Sequence, residues 1–349
     1  MILKKVSLVK ISYTLFVLLA YSCVLISPGI FWPAAFLALL VPFIIIFECF
    51  RLLFFALRKS KNVVYPLVLL ICGYPFIRAS VSVSGDTKSN DQPIKVLTYN
   101  ARVFNLYKNN LEESLKPIDW VTKHSADVKC IQEYYNLDKQ PEFATTKKIS
   151  QSGKLYHFFQ PVVINRVGGE FGLAIFSKYP IVSRGVIDLQ SNSTNSAIFA
   201  DIAIGDDTVR IINFHLQSLS LRDDELTFEE KRVTGLRSLM EKLKVGFLAR
   251  EKQLRKIERY LEETRYPLIV CGDLNDTPYS YAYFKLRGYL DNAFEKRGVG
   301  FGFSYNGKLS FLRIDNQFFS DKLSALNFQT HTNVDFTDHY PITATYKLK

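Results

Sequence analysis

Three long apolar stretches, "VKISYTLFVLLAYSCVLI", "FWPAAFLALLVPFIIIFECF" and "VVYPLVLLICGYPFI", fill most of the first 80 residues, with short polar breaks between them. Each is close to the roughly 17 to 25 residues that cross a bilayer core, and none shows the polar face a surface helix needs. The pattern predicts three transmembrane helices, at about residues 8–27, 31–50 and 63–79, forming an N-terminal membrane region over residues 1–80. A cleaved secretory signal would carry one short apolar region, not three in succession. Buried helices of a soluble domain are the plainer alternative.

The pattern changes after residue 80. "VSVSGDTKSNDQP", residues 81–93, is polar and Ser-rich and ends in proline, as a linker should. Beyond it, short β-type runs alternate with helical ones over residues 94–349. Strand candidates are "IKVLTYN", "DVKCIQE", "YHFFQPVV", "GLAIFS", "SAIFADIAI", "VRIINFHL", "PLIVCGD", "IDNQFFS" and "ITATYKL". Helices are expected over residues 111–124, over the charged stretch Glu225 to Glu263, and over Tyr279 to Leu286. No solenoid-period repeat or low-complexity tract is present. This mixture predicts an α/β fold, a four-layer sandwich of two packed β-sheets flanked by helices, preceded by the bundle of transmembrane helices.

Charge refines the picture. The formal net charge is +11, but residues 1–90 hold nine Lys/Arg against Glu48 and Asp86, leaving 35 against 31 for the rest. The large domain is therefore only mildly basic, which permits a polyanionic partner without arguing for one. Lys4, Lys5 and Lys10 precede the first stretch, and Arg51, Arg58, Lys59 and Lys61 lie between the second and third. By the positive-inside rule both clusters are cytoplasmic, and three crossings place the large domain on the extracytoplasmic side of a multi-pass cell-membrane protein. The third stretch carries Pro66, Gly73 and Pro75; were it only to lie in the interface, the domain would be cytoplasmic. Cys130 and Cys271 lie in apolar strand-like runs and read as small buried thiols in preference to a disulfide, and no Cys/His spacing suggests zinc.

The chemistry gathers at strand ends. "YPLIVCGDLNDTPYS" leaves an apolar run at Gly272 and presents Asp273, Asn275 and Asp276 within a few positions. Asn100 ends "VLTYN", Glu133 ends "CIQE", His215 follows "IINF", Asp315 starts "DNQFF", and Asp338 with His339 precede "YPITATY". Any one of these is most simply a turn former or cap. Together they are carboxylates and amides suited to a hard cation, plus two histidines able to meet a phosphate or move a proton.

These motifs resemble the endonuclease/exonuclease/phosphatase superfamily of metal-dependent phosphodiesterases, which includes pancreatic deoxyribonuclease, abasic-site endonucleases, neutral sphingomyelinases and inositol polyphosphate 5-phosphatases. The likeness runs from about residue 94 to the C-terminus through "TYNARVFN", "ADVKCIQE", "GLAIFSKYPI", "INFHLQS", "CGDLNDTP", "LRIDNQFFS" and "TDHYPI", in that order. "GDLND" and "DHYP" in this order are the specific elements; "TYN" or "QE" alone is weak. The three-span front end looks like a membrane-anchored bacterial branch.

The resemblance implies roles. Glu133 looks like the principal magnesium ligand, with Asn100 beside it and Asp338 completing the metal side; Mn2+ is an alternative ion. Asp273 resembles the residue that orients or deprotonates water, and Asn275 the one that holds a phosphate oxygen. Asp315 and His339 look like a partnered pair, and His215 like the histidine facing the phosphate or leaving oxygen. Arg102, two residues after Asn100 and so on the same strand face, is a candidate phosphate contact or a solvent-facing arginine. "GGEFG" precedes a strand and reads as a turn, and Arg250 and Gln253 read as part of a solvated helix face. His215 stands where abasic-site endonucleases have tyrosine, which argues against that activity.

The expectation is a membrane-anchored, Mg2+-dependent hydrolase of phosphate esters, a phosphodiesterase using in-line attack of water. Its partners would be the bilayer and a nucleic acid, nucleotide or phospholipid headgroup, with no protein partner. A sphingomyelinase-like phospholipid phosphodiesterase is the nearer alternative. A catalytically silent lipid- or protein-binding module is the one from another class.

Overall fold

The computed structural model describes residues 8–87, 93–108, 110–189, 195–218 and 232–349. Residues 88–92 of the expected linker and 225–231 of the expected long helix lie outside the described residues.

The N-terminal stretches are helical, but they are not three equal spans. α1 (Leu8–Cys23) has 16 residues. A short turn α2 (Pro28–Phe31) leads into α3 (Pro33–Ala38) and α4 (Val41–Leu57). Pro33–Leu57 forms one continuous 25-residue helix, the only one among the described residues that alone is long and apolar enough to cross a membrane. The third stretch is broken: α5 (Val64–Cys72) and α6 (Tyr74–Ser80) meet at Gly73, and Lys61–Cys72 and Tyr74–Ser80 bend by 63°. Pro75, near the start of α6, removes a donor and clashes with the preceding turn, which accounts for the break. The bend brings Gly73 against α1: a Cβ there would lie 2.7 Å from the Tyr21 hydroxyl.

The large domain holds strands β1 (Ser82–Val83), β2 (Ile94–Asn100), β3 (Val128–Asn136), β4 (Tyr156–Ile164), β5 (Glu170–Ser177), β6 (Ile181–Ile187) and β7 (Ser196–Ile204). They continue with β8 (Asp207–His215), β9 (Leu268–Asp273), β10 (Asp291–Asn292), β11 (Val299–Gly300), β12 (Asp315–Phe319), β13 (Leu323–Thr330) and β14 (Ile342–Leu348). Two six-stranded mixed sheets form, in the orders β13-β14-β2-β3-β5-β4 and β10-β12-β9-β8-β7-β6, and β1 pairs with β11.

Alternation along the strands explains the layers. Ile94, Val96, Val128, Cys130 and Ile175 of the first sheet meet Ile198, Ile211, Ile269 and Cys271 of the second in a buried core. The outer face of the first sheet is covered by α7 (Leu111–Lys123) through Ile118 and Val121, with the short α8 (Thr145–Ile149) beside it. The outer face of the second is covered by α9 (Arg232–Glu263) and α10 (Tyr281–Tyr289), through Leu254, Ile257, Tyr283 and Leu286. The four-layer sandwich expected from the pattern is thus present. The fully buried Cys130 and Cys271 are free thiols.

β6 and β13 were not legible in the pattern. Both are sheet edges, and polar residues interrupt the apolar runs of "IVSRGVI" and "LSALNFQT".

Candidate active site

Topology gathers the strand-end residues. β2 and β3 run parallel, as do β8 and β9. The C-terminal ends of these pairs therefore present Asn100 and Glu133 from one sheet and His215 and Asp273 from the other. β12 runs antiparallel to β9 with Asp315 opposite Asp273. β14 runs antiparallel to β2 with Ile342 opposite Thr98, which brings Asp338 and His339 to the same edge. Buried amides join the sheets beneath it: Gln132 donates to Asn213 Oδ1 at 2.6 Å, and Asn213 donates to the carbonyls of Ile131 and Ala174.

Local backbone sets the aim. β3 bulges between Ile131 and Tyr134, and Glu133 sits there at φ 46°, turning its side chain from the core toward the edge. Gly272 has φ 144°, and a Cβ there would lie 1.9 Å from the Phe214 carbonyl oxygen, so the β8–β9 approach requires glycine. Asn275, at φ 51°, donates its backbone N–H to Asp273 Oδ1 at 2.8 Å.

Asp273 is the hub. Its Oδ2 accepts from the Asn100 amide at 3.0 Å and lies 3.7 Å from Nε2 of both His215 and His339. The Asn100 amide also donates to Glu133 Oε1 at 3.2 Å, and His215 Nε2 lies 3.8 Å from that oxygen. His339 Nδ1 is 2.9 Å from Asp315 Oδ2. Asp315 is held by Ser304, whose hydroxyl accepts from the backbone N–H of Ile314 and Asp315. Asp273, Asp315 and His339 offer ligand atoms all within 4.8 Å of one another.

Burial controls the charges. Burial alone would lower the His339 pKa, but the carboxylates of Asp315 and Asp273 outweigh it and carry it up to about 10. Burial raises the Asp273 carboxyl above the usual range; His339 opposes the rise and Asp315 adds to it. Asp273 and Glu133 have histidine nitrogens within 4 Å but no arginine or lysine paired with them among the described residues. Asp315 Oδ1 and Asp338 Oδ1 are buried acceptors without a protein donor, and His215 Nε2 makes no hydrogen bond within the protein. Carboxylate oxygens left without donors, beside a Glu133 that has no lysine or arginine paired with it among the described residues, suit a divalent cation, so the residues fit the ion that the resemblance implies.

Glu133, Asn100, His215, Asp273, Asn275, Asp315, Asp338 and His339 all lie at this one edge, but two of them, Asn100 and Asn275, and the candidate phosphate contact Arg102 are arranged otherwise than expected. Arg102 is not on a strand: β2 ends at Asn100, and Arg102 opens a left-handed turn through Asn105, all four residues having φ between 44° and 56°. Its guanidinium reaches Asp338 at 3.3 Å. The Asn275 side-chain amide donates to the Leu216 carbonyl at 3.0 Å instead of standing free. Asn100 turns its amide nitrogen, not its oxygen, toward Glu133, while its Oδ1 accepts from the Arg102 N–H at 3.1 Å. Sequence reading also missed the supports. Ser304 had no signal, and Arg250, taken for a solvated residue, is 1% exposed. Its Nε donates to Asp276 Oδ2 at 2.9 Å.

Comparison with known proteins bears on the fold. Residues 97–339 match the profile of the Endonuclease/Exonuclease/phosphatase family, and residues 4–80 match a domain family of unknown function. No curated protein matches the chain. Among solved structures, it is similar to the human Nocturnin catalytic domain with bound sulfate, at 17% identity over 74% of this chain and 95% of that one, with a TM-score of 0.53. A humanised Danio rerio TDP2 matches at 15% over 73% and 99% of the two chains, TM-score 0.53. The Bacteroides thetaiotaomicron mannosyl-6-phosphatase matches at 15% over 73% and 100%, TM-score 0.52. At these identities the likeness establishes the fold.

Proposed function

We propose, from the premise that this chain belongs to the Endonuclease/Exonuclease/phosphatase family, that it is a metal-dependent hydrolase of phosphate esters, most simply a phosphodiesterase. The observation that carries the reading is the convergence on Asp273 Oδ2 of an amide and two imidazoles, one of them paired with Asp315. Glu133 would hold the ion, with Asp338 and a reoriented Asn100 as further oxygen donors, and Mg2+ or Mn2+ bound there supplies neutralisation of phosphate charge and a more acidic water.

The protein's own groups do the rest. Asp273, its basicity raised by burial, takes the proton of the attacking water. Asn100 and the Asn275 N–H fix the two Asp273 oxygens. His339, kept cationic between Asp315 and Asp273, faces a phosphate oxygen as charge builds. His215 Nε2, which makes no hydrogen bond within the protein, faces the phosphate or the departing oxygen. Asn275 would leave the Leu216 carbonyl to reach phosphate.

A phospholipid substrate is favoured by one feature. A cleft of about 570 Å³ lined by Phe301, Phe303, Phe328 and Tyr340, with Ser310, Gln329, Thr330 and Thr332, has no lysine or arginine in its wall; Tyr340 directly follows His339, and Tyr305 bridges to His339. We place residues 1–80 in the cell membrane, crossing three times, with the large domain extracytoplasmic. Support comes from its polarity. Lys10 contacts Asn62 and lies over Tyr65, which joins the basic ends, whereas Ser27 and Ala79 meet the large domain at the other end.

The test is release of p-nitrophenol from bis-p-nitrophenyl phosphate by the full chain in detergent, with Mg2+ and with EDTA, followed by DNA, RNA, sphingomyelin and inositol phosphates. Turnover insensitive to EDTA, or none across the panel, would sink the hydrolase reading and leave the silent binding module. A reporter fused after Lys349 that is active in the cytoplasm would sink the topology.

A further inference from the structure

The N-terminal helices meet the large domain through buried polar contacts that lead to the catalytic edge. Arg313, 2% exposed, lies two residues before Asp315. Its Nη2 donates to the carbonyl of Ala79 at the end of α6, at 2.5 Å, and its Nη1 donates to Asn316 Oδ1. The guanidinium stacks over Phe294 at 4.4 Å and Tyr283 at 5.2 Å. One arginine thus ties the end of the helical region to the residue beside Asp315.

A second tie runs through α9. Arg250 Nε donates to Asp276, next to Asn275, and its Nη1 donates at 2.9 Å to the carbonyl of Gln217, two residues after His215. The adjoining Glu251 accepts from the Ser27 hydroxyl at 2.9 Å, and a Cβ on Gly29 would approach its Oε2 to 3.1 Å. Phe247, one turn earlier, packs edge-on against Phe36 at 5.5 Å. Ser80 donates to the Tyr279 hydroxyl at 2.6 Å, within the loop that follows Asp276.

We propose that the helical region of residues 8–80 is a working part of the active site and not a detachable anchor, with Arg313 and Arg250 as positioning residues that couple it to Asp315–His339 and to the His215 and Asn275 loops. The proposal goes beyond the hydrolase reading and rests on it only for which loops are catalytic. Removing either tie leaves buried acceptors without donors beside groups whose placement matters at the 1 Å scale.

Two experiments on the full chain test it. A protease site is inserted between residues 87 and 93, and the protein is cut in detergent. The two pieces are expected to co-elute and keep activity; separation with full activity in the large piece overturns the proposal. In Arg313→Met, kcat is expected to fall about 100-fold with KM nearly unchanged. Arg210→Met removes a paired arginine at the opposite end of β8, where Arg210 binds Asp201 at 2.7 and 2.8 Å, and is expected to lower Tm while keeping kcat. Equal kcat loss in both variants means a general stability effect and overturns the role. Should the wild type hydrolyse nothing, hydrogen exchange decides: unchanged protection of residues 273–277 and 315–319 in Arg313→Met overturns the coupling even then.

Discussion

Asp315 fixes His339: Oδ2 of the carboxylate stands 2.9 Å from Nδ1 of the ring, although 24 residues separate them. The contact holds the imidazole with Nε2 toward Asp273, 3.7 Å away. Replacing Asp315 with Asn keeps the shape and removes the charge that holds the ring cationic. The expected result is a loss of roughly 100-fold or more in kcat with Tm changed by only a few degrees. Steady-state kinetics and calorimetry on the full chain check it, and unchanged kcat contradicts the pairing.

Glu133 has a side chain 34% exposed, in a cleft without a lysine or arginine partner among the described residues. Glu133→Gln is expected to lower metal-dependent turnover on the order of 100-fold or more, to weaken dependence on added Mg2+, and to leave the fold intact. A metal titration of activity, with circular dichroism as the control, reads both effects.

Gly272 occupies backbone at φ 144° with the Phe214 carbonyl where a Cβ would go. Gly272→Ala must both strain the backbone and push β8 from β9, so a destabilisation above about 4 kcal/mol is expected. Denaturant unfolding, or failure to accumulate folded protein, checks it; a variant that melts within a few degrees of wild type refutes the close approach.

Two histidines outside the site predict the acid response. His124 and His331 face each other at 5.5 Å beside Trp120, and burial, aided by Lys95, lowers both pKa values to about 4. Below the unfolded value near 6.5, the unfolded chain binds protons that the folded chain does not. Their contribution is therefore complete above pH 6.5 and is lost as pH falls toward 4. Tm measured from pH 7 to 4 is expected to fall less steeply in the double variant His124→Gln, His331→Gln than in wild type; parallel curves refute the assignment.

What was legible in the sequence is what local patterning encodes. Buried strands such as "LIVCGD" and "VRIINFH" announce themselves by uninterrupted apolar runs, and their polar ends expose Asp273 and His215 as breaks in the run. Strands β6 and β13 escaped because polar residues interrupt their apolar runs, "IVSRGVI" and "LSALNFQT". Arg250 read as solvated because its helix alternates charges; its burial follows from contacts with Asp276 and the Gln217 carbonyl, beside the docking of Ser27 and Phe36 on the adjoining Glu251 and Phe247.

The amino-acid order by itself determined the layers, the apolar front end and the residue types able to hold a cation and a phosphate, since each follows from periodicity or from chemistry within a few positions. The tertiary structure alone decided that Pro75 breaks the third stretch, that Arg102 pairs with Asp338, and that Ala79 accepts from Arg313. Such contacts span up to 236 residues of chain in the Arg102–Asp338 case, and no local pattern specifies which distant partner a side chain meets once the sheets close.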